Sequence, residues 1–216
     1  KNYNKILKDE RKPMINRAIN GQYPPGSTLK PFVGLIALDE GIINSKKLIS
    51  CSGAYKLNNH KRPFKCWKKE GHGSTDLSYA LTQSCDVFFY RVSELTGIDI
   101  ISEHLYKYGF GQKTYIDLYN ESTGLVPDRK WKRKQLQKPW YPGETLNVGI
   151  GQGYFLSTPI QLTLATASLA TAGQTYTPHL FLRSQDSKTG NFINYKKEDN
   201  KFITPNVDYD SLDIVH

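Results

Sequence analysis

Residues 29–41, LKPFVGLIALDEG, carry Leu29, Phe32, Val33, Leu35, Ile36 and Leu38 at helical spacing and end on a glycine. A helix with apolar side chains over so much of its surface must be packed on more than one side, so the rest of the chain has to be arranged around it. Gly41 suits the left-handed residue that closes such a helix. The helix is expected to start near Ser27, and Pro31 is tolerated there because first-turn amides have no partner within the helix.

The stretch leading into this helix, YPPGSTLKPF (23–32), places Ser27 three positions before Lys30. Side chains at that spacing share one helix face, so the hydroxyl and the amine come within hydrogen-bonding reach. A lysine on a helix packed on both sides is held away from water, which frees its nitrogen to act as a base. First-turn N–H groups, that of Ser27 included, point with the positive end of the helix dipole at whatever Ser27 attacks. Ser-x-x-Lys is a short pattern, and its plain alternative is an N-cap at Ser27 with Lys30 as a solvated charge.

Further helical patterns follow. One spans residues 76–96, is interrupted near Ser84-Cys85-Asp86 and closes at Gly97; a short one, IDIISEHLYKYGFG, ends at Gly109. In NVGIGQGYFLSTPIQLTLATASLATAG, Thr158 and Gln161 form a capping box, Pro159 takes the first helical position and Gly173 stops the helix. Residues 177–196 alternate like a surface hairpin turning around Asp186 to Gly190. Long helices with short strands and no internal repeat give an α/β or α+β layout for residues 1–216. The glycines at 149, 151 and 153 match neither a dinucleotide fingerprint nor a P-loop and read as a tight turn beside the core.

A hydrophobic content of 38%, with 14 tyrosines and 9 phenylalanines, marks a globular chain. No apolar stretch approaches the roughly 18 residues of a membrane span. The opening residues read as the middle of a surface segment, so the sequence is taken as a piece of a longer protein, which leaves room for a membrane anchor outside it. The net charge of +9 gathers in residues 56–69 and 129–138. Such runs read as solvated loops; neither sits on a nucleic-acid recognition module, and a positive surface equally suits anionic lipid or cell-wall polymer.

Three cysteines, Cys51, Cys66 and Cys85, are an odd number, so they cannot all pair within the chain. One account pairs Cys51 with Cys66 as a disulfide and leaves Cys85 buried. The other adds His72, from a GHG segment with no apolar periodicity to explain a core histidine, to make three thiolates and one imidazole suited to tetrahedral zinc.

Taken together, NRAINGQYPPGSTLKPF (16–32), GHG (71–73), SCDVFFY (84–90), YGFG (108–111) and GIGQGYFLSTPIQL (149–162) resemble the transpeptidase domain of class B penicillin-binding proteins, in their elongation-specific branch. Ser-x-x-Lys is part of the signature of those enzymes and of related β-lactamases. The resemblance implies a penicilloyl-serine transferase fold, with helices around an antiparallel sheet, and a peptidoglycan D,D-transpeptidase. It makes Ser27 the acyl-accepting nucleophile and Lys30 its base. In the second motif Ser84 would pass a proton toward the leaving amine, and Asp86 would orient it or contact substrate. Many relatives carry asparagine at this last position, so Asp86 departs from the commoner pattern. Relatives also place metal ligands where Cys51, Cys66, His72 and Cys85 stand, which favours a structural zinc with no catalytic position. The implied partners are peptidoglycan stem peptides, β-lactams, a glycan polymerase and other elongation proteins, in the periplasm, for a parent anchored once in the inner membrane, with no nucleic acid.

Lys188-Thr189-Gly190 spells the third family motif but sits in turn chemistry, between Gln185, Asp186, Ser187 and Asn191. It reads as a decoy, with the functional copy expected beyond His216 and the displayed chain therefore inactive alone. Two rivals remain: a class D type serine β-lactamase or β-lactam sensor, against which the sequence Ser84-Cys85-Asp86 argues, and a zinc-stabilised scaffold with a vestigial serine.

Overall fold

The computed structural model describes residues 2–174, 176–194 and 215. In chain order these form α1 (Asn2–Leu7), α2 (Arg17–Asn20), a 3-10 turn (Gly26–Leu29), α3 (Lys30–Asp39), β1 (Ile49–Cys51), β2 (Ala54–Tyr55), β3 (Phe64–Lys65), β4 (Gly73–Thr75), α4 (Leu77–Thr82), α5 (Asp86–Thr96), α6 (Ile98–Lys107), α7 (Arg129–Leu136), α8 (Pro142–Gly149), α9 (Pro159–Ala170), β5 (Arg183–Gln185) and β6 (Phe192–Asn194). Strand pairing is antiparallel as expected; among the described residues it comes as three separate two-stranded sheets, β1 with β4, β2 with β3 and β5 with β6.

The helix expected to be central is so. Phe32, Val33, Leu35, Ile36 and Ala37 of α3 are buried, and fully burying such a side chain contributes about 1.5–3 kcal/mol. The Phe32 ring meets Tyr108 and Phe110 edge-on at 5.2 and 5.3 Å, and Phe110 meets Phe155 at 5.4 Å. Edge-to-face geometry sets the positive rim of one ring against the negative face of the next. Helix α3 ends in a Schellman motif: Gly41, at φ 64°, donates to Leu38 O, and Ile42 donates to Ala37 O. Gly97 caps α5, the capping box of Thr158 and Gln161 starts α9, and the turn of the last hairpin holds Asp186. Residues 195–196, the expected end of that hairpin, lie outside the described residues.

One expectation is corrected. Much of the basic run 129–138 is not a loop but α7, because Asp128 caps it by accepting from Trp131 N–H and one face finds an interior. Lys132 is buried there, paired with Glu144 of α8, with its ammonium 4.4 Å from the centre of the Tyr141 ring. A cation over an aromatic face retains part of the stabilisation it loses by leaving water.

Candidate active site

The segment leading into Ser27 is held at two points by backbone bonds. Tyr23 and Ser157 exchange N–H···O bonds of 2.9 Å each way, and Gly26 N–H donates to Gly151 O at 2.9 Å. Gly151, at φ 69°, comes so close to Gly26 that a Cβ on it would lie 2.1 Å from Gly26 O. The turn at 149–153 therefore sits against the loop leading into Ser27 as well as beside the core, and it adds Ile150 and Gln152 to the cleft around Ser27.

The second motif is shaped by a helix ending. Ser84 takes the left-handed conformation, φ 51°, in which its N–H donates to Leu81 O and the next N–H, of Cys85, donates to Ala80 O. That is the Schellman closure of α4 with a serine where glycine is usual. Helix α5 then starts at Asp86. The tight reversal puts Ser84 Oγ and the Asp86 carboxylate on the same side, facing α3.

Lys30 receives both. Its side chain is 2% exposed, and Nζ donates to Asp86 Oδ1 at 2.6 Å, Ser84 O at 2.9 Å and Ser84 Oγ at 3.0 Å. Ser84 Oγ in turn donates to Ser27 Oγ at 2.9 Å. The direct Ser27–Lys30 contact expected from helix spacing is replaced by a relay through Ser84, because the Asp86 carboxylate draws the lysine nitrogen to itself. All four expected residues, Ser27, Lys30, Ser84 and Asp86, are thus joined in one hydrogen-bonded chain. Ser27, Ser84 and Asp86 border a cleft of ≈ 600 Å³, which Lys65, Cys66, Trp67 and Tyr90 complete. Sequence reading missed Trp67, Tyr90 and Gln152; Trp67 had one signal, its place next to Cys66.

Behind this cleft, Cys51, Cys66, His72 and Cys85 are all buried, and their ligand atoms lie within 4.8 Å of one another. The cysteines are free thiols, so the Cys51–Cys66 disulfide account does not describe this structure. His72 Nδ1 is 3.6 Å from the sulfurs of both Cys51 and Cys66. Zinc with Zn–S of about 2.3 Å and Zn–N of about 2.0–2.1 Å sets sulfur and nitrogen roughly 3.6 Å apart in a tetrahedron, so the spacing fits. Burial, then the Lys68 charge, lower the His72 imidazole below its usual value and favour the neutral ring a metal binds. Burial pushes the Cys85 thiol up to about 12; a divalent cation reverses that preference, since a coordinated thiol gives up its proton. Lys188-Thr189-Gly190 lies in the exposed β5–β6 turn, where Asp186 accepts from the N–H groups of Lys188 and Thr189, and takes no part in the cleft.

A family profile described as the penicillin binding protein transpeptidase domain matches residues 1–211. The chain is 43% identical over 187 residues to peptidoglycan D,D-transpeptidase MrdA of Salmonella typhimurium, covering 87% of this chain and 30% of that protein. It thus spans less than a third of the length of that curated relative. Among solved structures, PBP2 of Pseudomonas aeruginosa superposes with a TM-score of 0.87 at 36% identity, over 99% of this chain and 45% of that one. PBP2 in its complex with MreC from Helicobacter pylori gives 0.81 at 33%, over 99% of this chain and 37% of that one.

Proposed function

The chain belongs to the penicillin-binding protein transpeptidase family, and from that premise we propose that the parent protein is a serine D,D-transpeptidase of peptidoglycan. The observation that carries the reading is the relay Lys30 Nζ, Ser84 Oγ, Ser27 Oγ, with links of 3.0 and 2.9 Å. A serine hydroxyl is a weak nucleophile until a neighbour takes its proton, and the relay offers that path. Ser27 Oγ attacks the penultimate carbonyl of a stem peptide ending in D-Ala-D-Ala. As Oγ bonds the carbonyl carbon, its proton goes to Ser84 Oγ and Ser84's own proton goes to Lys30 Nζ, which enters this step as a neutral amine, with the two hydrogen bonds reversed from their resting direction. The N–H of Ser27, at the start of the 3-10 turn, faces the developing oxyanion. The C–N bond then breaks, Ser84 returns the proton to the amine of departing D-alanine, and an amine on a neighbouring stem peptide takes the acyl group in a second, parallel step. Asp86 holds the lysine nitrogen in place throughout.

A β-lactam presents a strained amide to the same hydroxyl and leaves an acyl-enzyme. The parent would work in the periplasm from an inner-membrane anchor; no described helix of this chain is itself long and apolar enough to cross a membrane. Its partners would be a glycan polymerase and proteins of the elongation machinery, a reading supported by the relative seen with MreC.

We further propose that Cys51, Cys66, His72 and Cys85 hold a structural zinc, a reading supported by the mutual distances and by the sulfur–nitrogen donor set. When bound, the ion supplies a cross-link between β1, the segment after β3, the GHG turn and the second motif, with no open coordination position for chemistry.

Intact mass of the full-length protein with and without a penicillin tests the enzyme reading. A covalent adduct that disappears in Ser27→Ala is the expected result; a folded parent that forms none overturns it. Native mass of the same sample reads the metal.

A further inference from the structure

Ser84 holds a backbone conformation that L residues enter reluctantly, and its Oγ reaches Ser27 from that conformation. The Schellman bonds satisfy the N–H groups of Ser84 and Cys85 but leave the carbonyls of Gln83 and Ser84 to find other donors. One side chain serves both. The indole N–H of Trp67 donates to Gln83 O at 3.0 Å and to Ser84 O at 3.2 Å, and the Trp67 backbone N–H donates to Asp86 Oδ2 at 3.2 Å. Burial does not account for a tryptophan here, since Trp67 is 61% exposed in the wall of the cleft.

From these contacts we infer that Trp67 is a positioning residue for acylation: its indole N–H holds the Gln83–Ser84 carbonyls, and through them keeps Ser84 in the left-handed conformation that sets its hydroxyl between Ser27 and Lys30. The inference rests on the proposed acylation of Ser27. Lys30 Nζ also donates to Ser84 O, at 2.9 Å, but the same nitrogen has to serve Ser84 Oγ and Asp86. Without the indole donor, water competes for both carbonyls, the serine relaxes toward right-handed φ, and its Oγ leaves the line between nucleophile and base. Trp67 touches neither substrate nor the reacting atoms in this role; it acts through Ser84.

The test uses the full-length protein and the kinetics of β-lactam acylation, resolving the non-covalent binding constant Ks from the acylation rate constant k2. Two variants are compared with the parent: Trp67→Phe, and Trp67 replaced by β-(3-benzothienyl)alanine, which keeps the ring outline and substitutes sulfur for the N–H. The expected result is a k2 lowered about tenfold in both, with Ks within about twofold of the parent and metal content and melting temperature unchanged in the benzothienyl form. Unchanged k2 in the benzothienyl variant overturns the inference while leaving the acyl-enzyme reading intact. A fall in k2 matched by loss of metal or of melting temperature in that variant also overturns it, since Trp67 would then be a packing residue. A parent that forms no adduct overturns the acylation reading, and the inference with it.

Discussion

Ser84 Oγ donates a 2.9 Å hydrogen bond to Ser27 Oγ across 57 positions of sequence, and the same oxygen accepts from Lys30 Nζ. The two serines meet because the Schellman closure of α4 turns the chain back just before α5, while backbone bonds to Gly151 and Ser157 pin the loop leading into Ser27. Ser84→Ala keeps both backbone features and breaks the relay. Acylation by a β-lactam should slow by about 10²–10⁴-fold, the range for losing a positioned proton-transfer group, with the melting temperature nearly unchanged. Stopped-flow acylation of parent and variant reads the ratio, and a change under threefold would place the proton path elsewhere.

The ion pair between Lys30 and Asp86 is mostly dry, with side chains 2% and 16% exposed. Removing one partner leaves the other charge buried and alone, so Asp86→Ala should destabilise by about 3–5 kcal/mol. Asp86→Asn retains one acceptor oxygen, enough for Lys30 but not also for the Trp67 N–H, and should lose less than Asp86→Ala. Denaturant unfolding of both variants checks the order; equal losses would mean that the contribution of Asp86 lies wholly in its charge and that a neutral acceptor adds nothing.

The helical framework was legible in sequence because its signals are local: Gly41 and Gly97 at helix ends, Pro159 and the Thr158–Gln161 box at a start. The cleft was legible only in part. Ser27 and Lys30 were visible through spacing, but Lys30 faces Asp86 rather than Ser27, a choice made by a charge 56 positions away. Trp67 and Gln152 escaped notice because neither has a periodic setting. The run at 129–138 misled through composition: Lys132 looks solvated by residue type, and the Glu144 carboxylate with the rings of Tyr141, Trp140 and Tyr154, all brought in by the fold, give it an interior.

Removal of metal should be felt as stability. An ion bound to the native state at a concentration of about 100 times its Kd contributes about 2.7 kcal/mol, which for a domain of this size corresponds to roughly 5–11 °C in Tm. Chelation of the purified full-length protein should therefore lower Tm by about that much, with recovery on adding zinc, and Cys51→Ser should remove the response. A Tm indifferent to chelator, with no zinc in the native mass, would leave the four residues as a plain buried cluster.

Helices α5 and α8 approach closely at Ser93 and Gly149. A Cβ on Gly149 would fall 1.7 Å from Ser93 Oγ and 2.6 Å from Ser93 Cβ. Gly149→Ala must push the helices apart and should cost about 1–3 kcal/mol. Ser93 Oγ is buried without a hydrogen-bond partner, so Ser93→Ala should be neutral or mildly stabilising. The double variant Gly149→Ala with Ser93→Gly should recover part of the loss, because the clash is with the serine side chain. Thermal melts of the unsubstituted protein, Gly149→Ala, Ser93→Gly and the double variant decide it, and full additivity would show that the two sites do not press on each other.

At the far end of the chain, Asp117 accepts from the backbone N–H groups of Leu180 and Phe181, at 2.7 Å each, and ties the segment before β5 to the loop after α6. The Phe181 bond, then the Leu180 bond, hold the Asp117 carboxyl below its usual 3.8. A carboxyl whose folded pKa is depressed stabilises the structure above its unfolded pKa and loses that contribution as pH falls through the folded value. The tether should thus be complete at neutral pH and weaken only below about 3.8, the ordinary aspartate value. Asp117→Asn has one acceptor oxygen and no charge, so it should show the weakened state already at neutral pH, as faster hydrogen exchange at Leu180 and Phe181 while exchange within α3 stays the same. Acid-sensitive exchange at these two amides in the parent, absent in the variant, is the expected pattern; equal profiles in both would assign the order of this segment to contacts other than Asp117.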